Sequence, residues 1–133
     1  MPILDTDILI SFLRNKEEAV RYIKKLTKKK SILKTTILNV AELYSGVYRS
    51  SNVAREIRIL EAFLESFEII GINMNSAIAF GQISADLYKR GTPVGVMDEL
   101  IAGIVINHKE TLITGNIKHF EVIPHIKIQN WRD

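Results

Sequence analysis

One stretch constrains this chain more than any other: Ile3-Leu4-Asp5-Thr6-Asp7-Ile8-Leu9-Ile10, where a short apolar run breaks into a carboxylate, a hydroxyl and a second carboxylate before apolar residues resume. A brief apolar run with no alternation is what a strand buried on both faces of a parallel sheet requires. The polar triplet then falls at the carboxyl edge of that sheet, where ligands of open α/β folds bind, above all where the strand order reverses. Taken alone, the same residues also fit a simpler role, with Asp5 or Thr6 capping the helix that follows.

The remainder of the chain extends the α/β pattern. Ile8 to Phe12 supplies a short helical turn, and Glu17 to about Lys30 places Val20, Ile23 and Leu26 on one side with lysines on the other. Ser31 to Thr36 has the β-branched character of a second strand. Asn39 is placed to cap a helix reaching about Ser50, with Glu42 three residues on completing a capping box. Val53, Ile57, Leu60, Leu64 and Phe67 recur at helical steps, and Phe67 to Ile72 reads as a third strand. Asn73 or Asn75 starts a helix with Ala77, Phe80, Ser84 and Leu87 inward, ending before Gly91-Thr92-Pro93. Asp98 to about His108 is apolar enough to be a buried helix, with Asp98 at its start. Thr111 to Thr114 is a fourth strand, followed by a loop through Asn116 and Phe120, and Lys127 to Gln129 is a fifth. Strands alternating with helices predict a parallel sheet covered on both faces, within one domain spanning residues 1–133.

Composition narrows the function classes. At 133 residues, 47% hydrophobic and 25% charged, the chain suits one globular domain with a sizeable core. Zero cysteines exclude disulfides, thiolate metal sites and a cysteine nucleophile. No apolar run approaches the roughly 18 residues of a membrane helix, and Met1-Pro2-Ile3 carries no basic leader, so a cytoplasmic location without membrane contact is expected. The net charge is only +3, but nine of the 18 basic residues lie between Arg14 and Lys34. Such a run is either a solvated helix face or a phosphate-attracting patch, and chemistry on nucleic acid would favour the second.

The acids at element ends supply that chemistry. Asp5 follows strand one, Glu42 lies in the first turn of its helix, Asp98 opens the buried helix, and Thr114 and Asn116 follow strand four. Each has a capping explanation taken singly. If strands one and four are neighbours, however, these groups share one crevice, where two carboxylates about 4 Å apart repel by roughly 4 kcal/mol at an effective dielectric near 20. A hard divalent cation, magnesium or manganese, removes that repulsion and activates water against a phosphodiester.

Four segments together resemble the signature blocks of the PIN-domain family. They are residues 3–10, Asn39-Val40-Ala41-Glu42-Leu43-Tyr44-Ser45-Gly46-Val47, Asp98-Glu99-Leu100-Ile101-Ala102, and Thr111 to Phe120 with Trp131, the last similar to the end of the family's VapC-type toxins. The resemblance implies an α/β/α sandwich around a five-stranded parallel sheet and a Mg2+- or Mn2+-dependent endoribonuclease. It implies that Asp5, Glu42 and Asp98 are the catalytic, metal-holding acids, and that Thr6 and Thr114 orient the site. It further implies a homodimer, a cognate VapB-type antitoxin, structured RNA such as transfer RNA as substrate, and products with 5′-phosphate and 3′-hydroxyl ends. Asn116 stands where the family often places a fourth acid, so a second, tightly held metal lacks one of its charges.

Other residues carry less. His108, His119 and His125 have no ligand spacing, and His119-Phe120 reads as packing. Ser11 and Ser45 lack a base partner, the glycines form no phosphate loop, and Asp7 and Glu99 are neighbours of the signature acids without an assigned role. Asp5-Thr6-Asp7 also resembles the first motif of haloacid-dehalogenase-type phosphatases, in which the first Asp is a nucleophile; that family needs a late acid pair where this chain has Thr114-Gly115-Asn116. A third alternative is a non-catalytic PIN-like module that binds RNA or protein.

Overall fold

The computed structural model describes residues 1–29 and 32–132; the expectations for Lys30 and Ser31 lie outside the described residues. Five strands, β1 (Ile3–Leu4), β2 (Leu33–Thr36), β3 (Phe67–Ile70), β4 (Thr111–Ile113) and β5 (Lys127–Gln129), form one sheet in the order β3-β2-β1-β4-β5. All four pairings are parallel, with Ile3 opposite both Lys34 and Leu112, and Leu4 opposite Ile113. The order runs outward in both directions from β1, so the β1/β4 boundary is the switch point.

Strand periodicity explains the layers. Ile3 and Leu112 point to one face, where they pack with Ile83 and Leu87 of α5 (Met74–Arg90), Ile101 and Val105 of α6 (Val96–Asn107), and Phe120 of α7 (Ile117–Phe120). Leu4, Leu33 and Ile113 point to the other. There they meet Ile8 and Leu9 of α1 (Thr6–Leu13), Ile23 of α2 (Glu17–Lys28), Leu43 of α3 (Ile37–Tyr48) and Leu60 of α4 (Val53–Leu64). Two residues of β1 thus fill two cores, each side chain contributing about 2–3 kcal/mol on full burial. The result is the expected α/β/α sandwich. On the first face α5 and α6 cross so closely that a Cβ on Gly103 would stand 2.9 Å from the Ser76 carbonyl oxygen. Glycine at that point of a buried helix is a packing requirement.

Several local expectations shift. The cap of α3 is Thr36, whose hydroxyl accepts from the Asn39 backbone N–H; Asn39 is the third helical residue and closes the capping box from inside the helix. Asp98 is likewise the third residue of its helix, behind Gly95 at φ 113°, so it is not a cap. Helix α1 begins earlier than expected, at Thr6, and the segment after Asn116 forms α7 instead of a loop. On α5 the buried residues are Ser76, Ile83 and Leu87, while Ala77 is exposed: the face packed on α6 is rotated from the one the apolar spacing suggested. That helix starts after Asn73 and stops at Gly91 in the left-handed conformation, as expected.

Candidate active site

At the carboxyl edge of β1 and β4 a cleft of about 330 Å³ opens, lined among others by Asp5, Thr6, Glu42, Asp98, Asn116 and Arg132. The topology brings together residues from five separate parts of the chain. Asp5 occupies the N-cap position of α1, but its side chain makes no capping bond. It is instead 5% exposed and bonded on both oxygens: Asn39 Nδ2 donates to Oδ1 at 2.8 Å and the Thr114 hydroxyl to Oδ2 at 2.8 Å. The capping explanation of Asp5 therefore fails on the geometry.

Asn39 is the hub of this arrangement. Its second amide hydrogen goes to Thr6 Oγ1 at 2.8 Å, and the Thr6 hydroxyl donates onward to Glu42 Oε1 at 2.5 Å. Its carbonyl oxygen accepts from the Thr36 hydroxyl at 2.6 Å. Every donor and acceptor of a fully buried amide is used, and that orders a rigid frame around Asp5 and Glu42. Sequence reasoning assigned Asn39 to the helix end and missed this role. The polar residue inside an apolar helix face was the available signal.

Asp5 pays for its position with its ionisation. Burial, opposed by the Thr114 hydrogen bond and reinforced by the nearby Asp7 and Asp98 carboxylates, raises its pKa to about 6. The Asp98 carboxylate is four-fifths covered and meets His119, whose Nδ1 lies 2.8 Å from Oδ2. Asn116 Nδ2 stands 3.0 Å from the same ring nitrogen. His119 is thus not the packing residue its sequence context suggested: it is half exposed and in contact with a signature acid. Asn116 lines the cleft and its backbone N–H bonds Thr114 Oγ1 at 3.0 Å, a positioning part for a residue without the charge of an acid.

The neighbouring acids separate cleanly. Glu99 is buried and accepts from the Val94 backbone N–H at 3.2 Å, away from the cleft's acids. Asp7 accepts from the Gly115 N–H at 2.6 Å and the Trp131 indole at 3.2 Å, tying α1 to the loop after β4 and to the chain's end.

Hard oxygen donors in an acid cluster suit a divalent cation. Among the described residues no three His, Asp or Glu side chains are gathered tightly enough to cage an ion by themselves.

The PIN domain family model matches residues 3–125. A tRNA(fMet)-specific endonuclease VapC from Salmonella typhimurium is 33% identical over 128 residues, 96% of each chain. A ribonuclease VapC2 from Rickettsia felis is 30% identical over 96% of each chain. Among solved structures, VapBC2 of Rickettsia felis bound to a promoter DNA fragment matches with a TM-score of 0.91 at 28% identity, covering 98% of each chain. DNA-bound VapBC of Salmonella typhimurium matches with a TM-score of 0.90 at 32% identity over the same shares.

Proposed function

The chain belongs to the PIN-domain family, and from that premise we propose that it is the toxin of a VapBC-type toxin–antitoxin pair, an endoribonuclease acting at the acid cleft. The observation that carries this reading is the convergence of Asp5, Glu42 and Asp98 on one cleft at the switch point of the sheet.

Asp5 and Asp98 would hold the cation, Mg2+ or Mn2+, with Glu42 completing its negative surroundings. When bound, that cation supplies positive charge to the phosphodiester oxygens and acidifies a water molecule. The chain's own parts prepare the site. Thr114 and Asn39 hold Asp5 by both oxygens, Thr6 fixes Glu42, and His119 orients Asp98. Fixed carboxylates need no reorganisation as charge develops on the phosphate. Hydrolysis leaves a 5′-phosphate and a 3′-hydroxyl. Structured RNA, transfer RNA in particular, is the proposed substrate, as the name of the Salmonella relative supports. The proposed partners are a VapB-type antitoxin, as in the similar complexes, and a second copy of this chain.

The test incubates purified, antitoxin-free protein with total RNA and Mg2+ or Mn2+, beside Asp5→Asn, Asp98→Asn and an EDTA control. Discrete fragments from the unsubstituted protein alone, lost with EDTA, support the reading. Identical behaviour of protein and variants would sink it and put a non-catalytic RNA- or protein-binding role first.

A further inference from the structure

Arg132 has no part in the site as described so far, yet it lines the acid cleft beside Asp5 and Asp98. Its guanidinium is held in place. The carbon lies 4.8 Å from the centroid of the Trp131 ring, a cation–π contact. It also packs against Gly115 so closely that a Cβ there would stand 3.2 Å from Cζ and 2.7 Å from Asp7 Oδ2. Trp131 is in turn buried and anchored, its indole N–H donating to Asp7 at 3.2 Å. Asp7 is committed to Gly115 and Trp131, and among the described residues no ion pair joins Arg132 to any carboxylate of the cleft. An exposed, ordered fork of donors that makes no ion pair among the described residues, set beside a cluster of acids, suits an anion that the acids alone would repel.

A second surface continues from this one. Trp131 also lines a groove on α2 with Arg21, Tyr22 and Lys25, Glu18 lying at its side. Consecutive residues, Trp131 and Arg132, therefore join the acid cleft to the basic helix that carries much of the positive charge between Arg14 and Lys34. Arg21 and Lys25 flank the partly buried Tyr22 ring, with the Glu18 carboxylate in the same lining, and cations beside an aromatic face suit a single nucleic-acid strand.

We propose that Arg132 binds the RNA phosphate adjoining the scissile one, and that the strand leaves the cleft toward Arg21 and Lys25. This inference rests on the ribonuclease reading and adds to it the direction in which the substrate runs. Arg132 is a substrate contact; Asp7, Gly115 and Trp131 are its positioning residues.

The experiment uses antitoxin-free protein and end-labelled bulk transfer RNA. Filter binding in EDTA is measured from about 50 to 200 mM salt, and cleavage in Mg2+ supplies kcat and KM. Each phosphate contact contributes about 0.7 to the log–log salt slope on a single strand. Arg132→Gln is expected to lower the slope by about 0.7 and raise KM roughly tenfold with kcat little changed, and the Arg21→Gln/Lys25→Gln pair to lower it by about 1.4. Arg132→Lys recovers the slope and part of the KM. A Lys89→Gln control, on α5 and outside both the groove and the Arg14–Lys34 run, keeps the KM of the unsubstituted protein. Circular dichroism confirms that each variant is folded. If the unsubstituted protein cleaves RNA while Arg132→Gln matches it in slope and KM, this inference is overturned and the ribonuclease reading stands. A loss in kcat alone also overturns it, placing Arg132 on the scissile phosphate. No cleavage and no binding by the unsubstituted protein would remove the ribonuclease reading itself.

Discussion

The two ends of the sheet treat their carboxylates in opposite ways. At the amino end, Glu110 lies 2.8 Å from the Met1 ammonium and 3.7 Å from Lys34 Nζ, and the same lysine reaches Glu68 at 3.6 Å. Each acid there has a cation, and the network closes on itself. At the carboxyl end Asp5, Glu42 and Asp98 face one cleft and are met by hydroxyls, an amide and an imidazole. The hydroxyls and the amide fix geometry without cancelling charge. An acid with a lysine beside it is finished; Asp5 and Glu42, held by hydroxyls and an amide, keep their field for something that arrives from solution.

The largest expected effect separates the ends by activity. Asp98→Asn is expected to cut kcat/KM for RNA by about 1000-fold, whereas Lys34→Met leaves cleavage at the level of the unsubstituted protein. Comparable losses from both would erase the distinction.

Next in size is the frame around Asp5. Asn39→Asp keeps the shape but turns a donor into a second buried carboxylate 2.8 Å from Asp5 Oδ1. Denaturant melts at pH 7 should show a loss of about 3–4 kcal/mol, smaller at pH 5, where one of the two carries a proton.

The raised pKa of Asp5 sets a pH dependence of opposite sign to that of an ordinary paired carboxylate. Between 3.8 and about 6 the folded state holds a proton that the unfolded chain has released. Stability of the metal-free protein therefore falls as pH rises through that window, by roughly 3 kcal/mol in all. Asp5→Asn should flatten the profile, and Mg2+ or Mn2+ should restore stability at pH 7 more than at pH 5. A profile that rises between pH 4 and 6 in the unsubstituted, metal-free protein would contradict this account.

Smaller effects sharpen the contrast. Thr114→Val removes a buried donor from Asp5 Oδ2 and should cost about 1–2 kcal/mol in a chemical melt. It should also lower cleavage, since the carboxylate loses one of its two tethers. Lys34→Met at the other end leaves Glu110 its Met1 ammonium and takes the cation from Glu68, which is more than half exposed, so a loss of under about 1 kcal/mol is expected.

Much of this was legible in the chain itself, for reasons that are local. Burial on both faces demands a continuous apolar run, and Ile3-Leu4 supplied one; helical packing demands steps of three and four, and α4 displayed them. Left-handed backbone favours glycine, so Gly91 marked the end of α5. The acids stood out because they interrupt apolar elements at their ends. The errors were also local in origin. Thr36 and Asn39 both bear good capping groups, and only the start of the helix, decided by how β2 enters the sheet, selects between them. His119 has no ligand spacing because its partner Asp98 is 21 residues away.

What the sequence by itself determined is therefore the set of elements and the candidate acids, each specified by a few adjacent residues. Tertiary structure alone decided that β1 lies beside β4, which brings Thr114 to Asp5 across 109 positions and Trp131 to Asp7 across 124. Bonds of that span depend on chain packing as a whole, because no periodicity or turn preference acts over such distances. Burial then turned an ordinary aspartate into one that titrates near 6, since the desolvation of a carboxylate is a property of its surroundings and not of its neighbours in the chain.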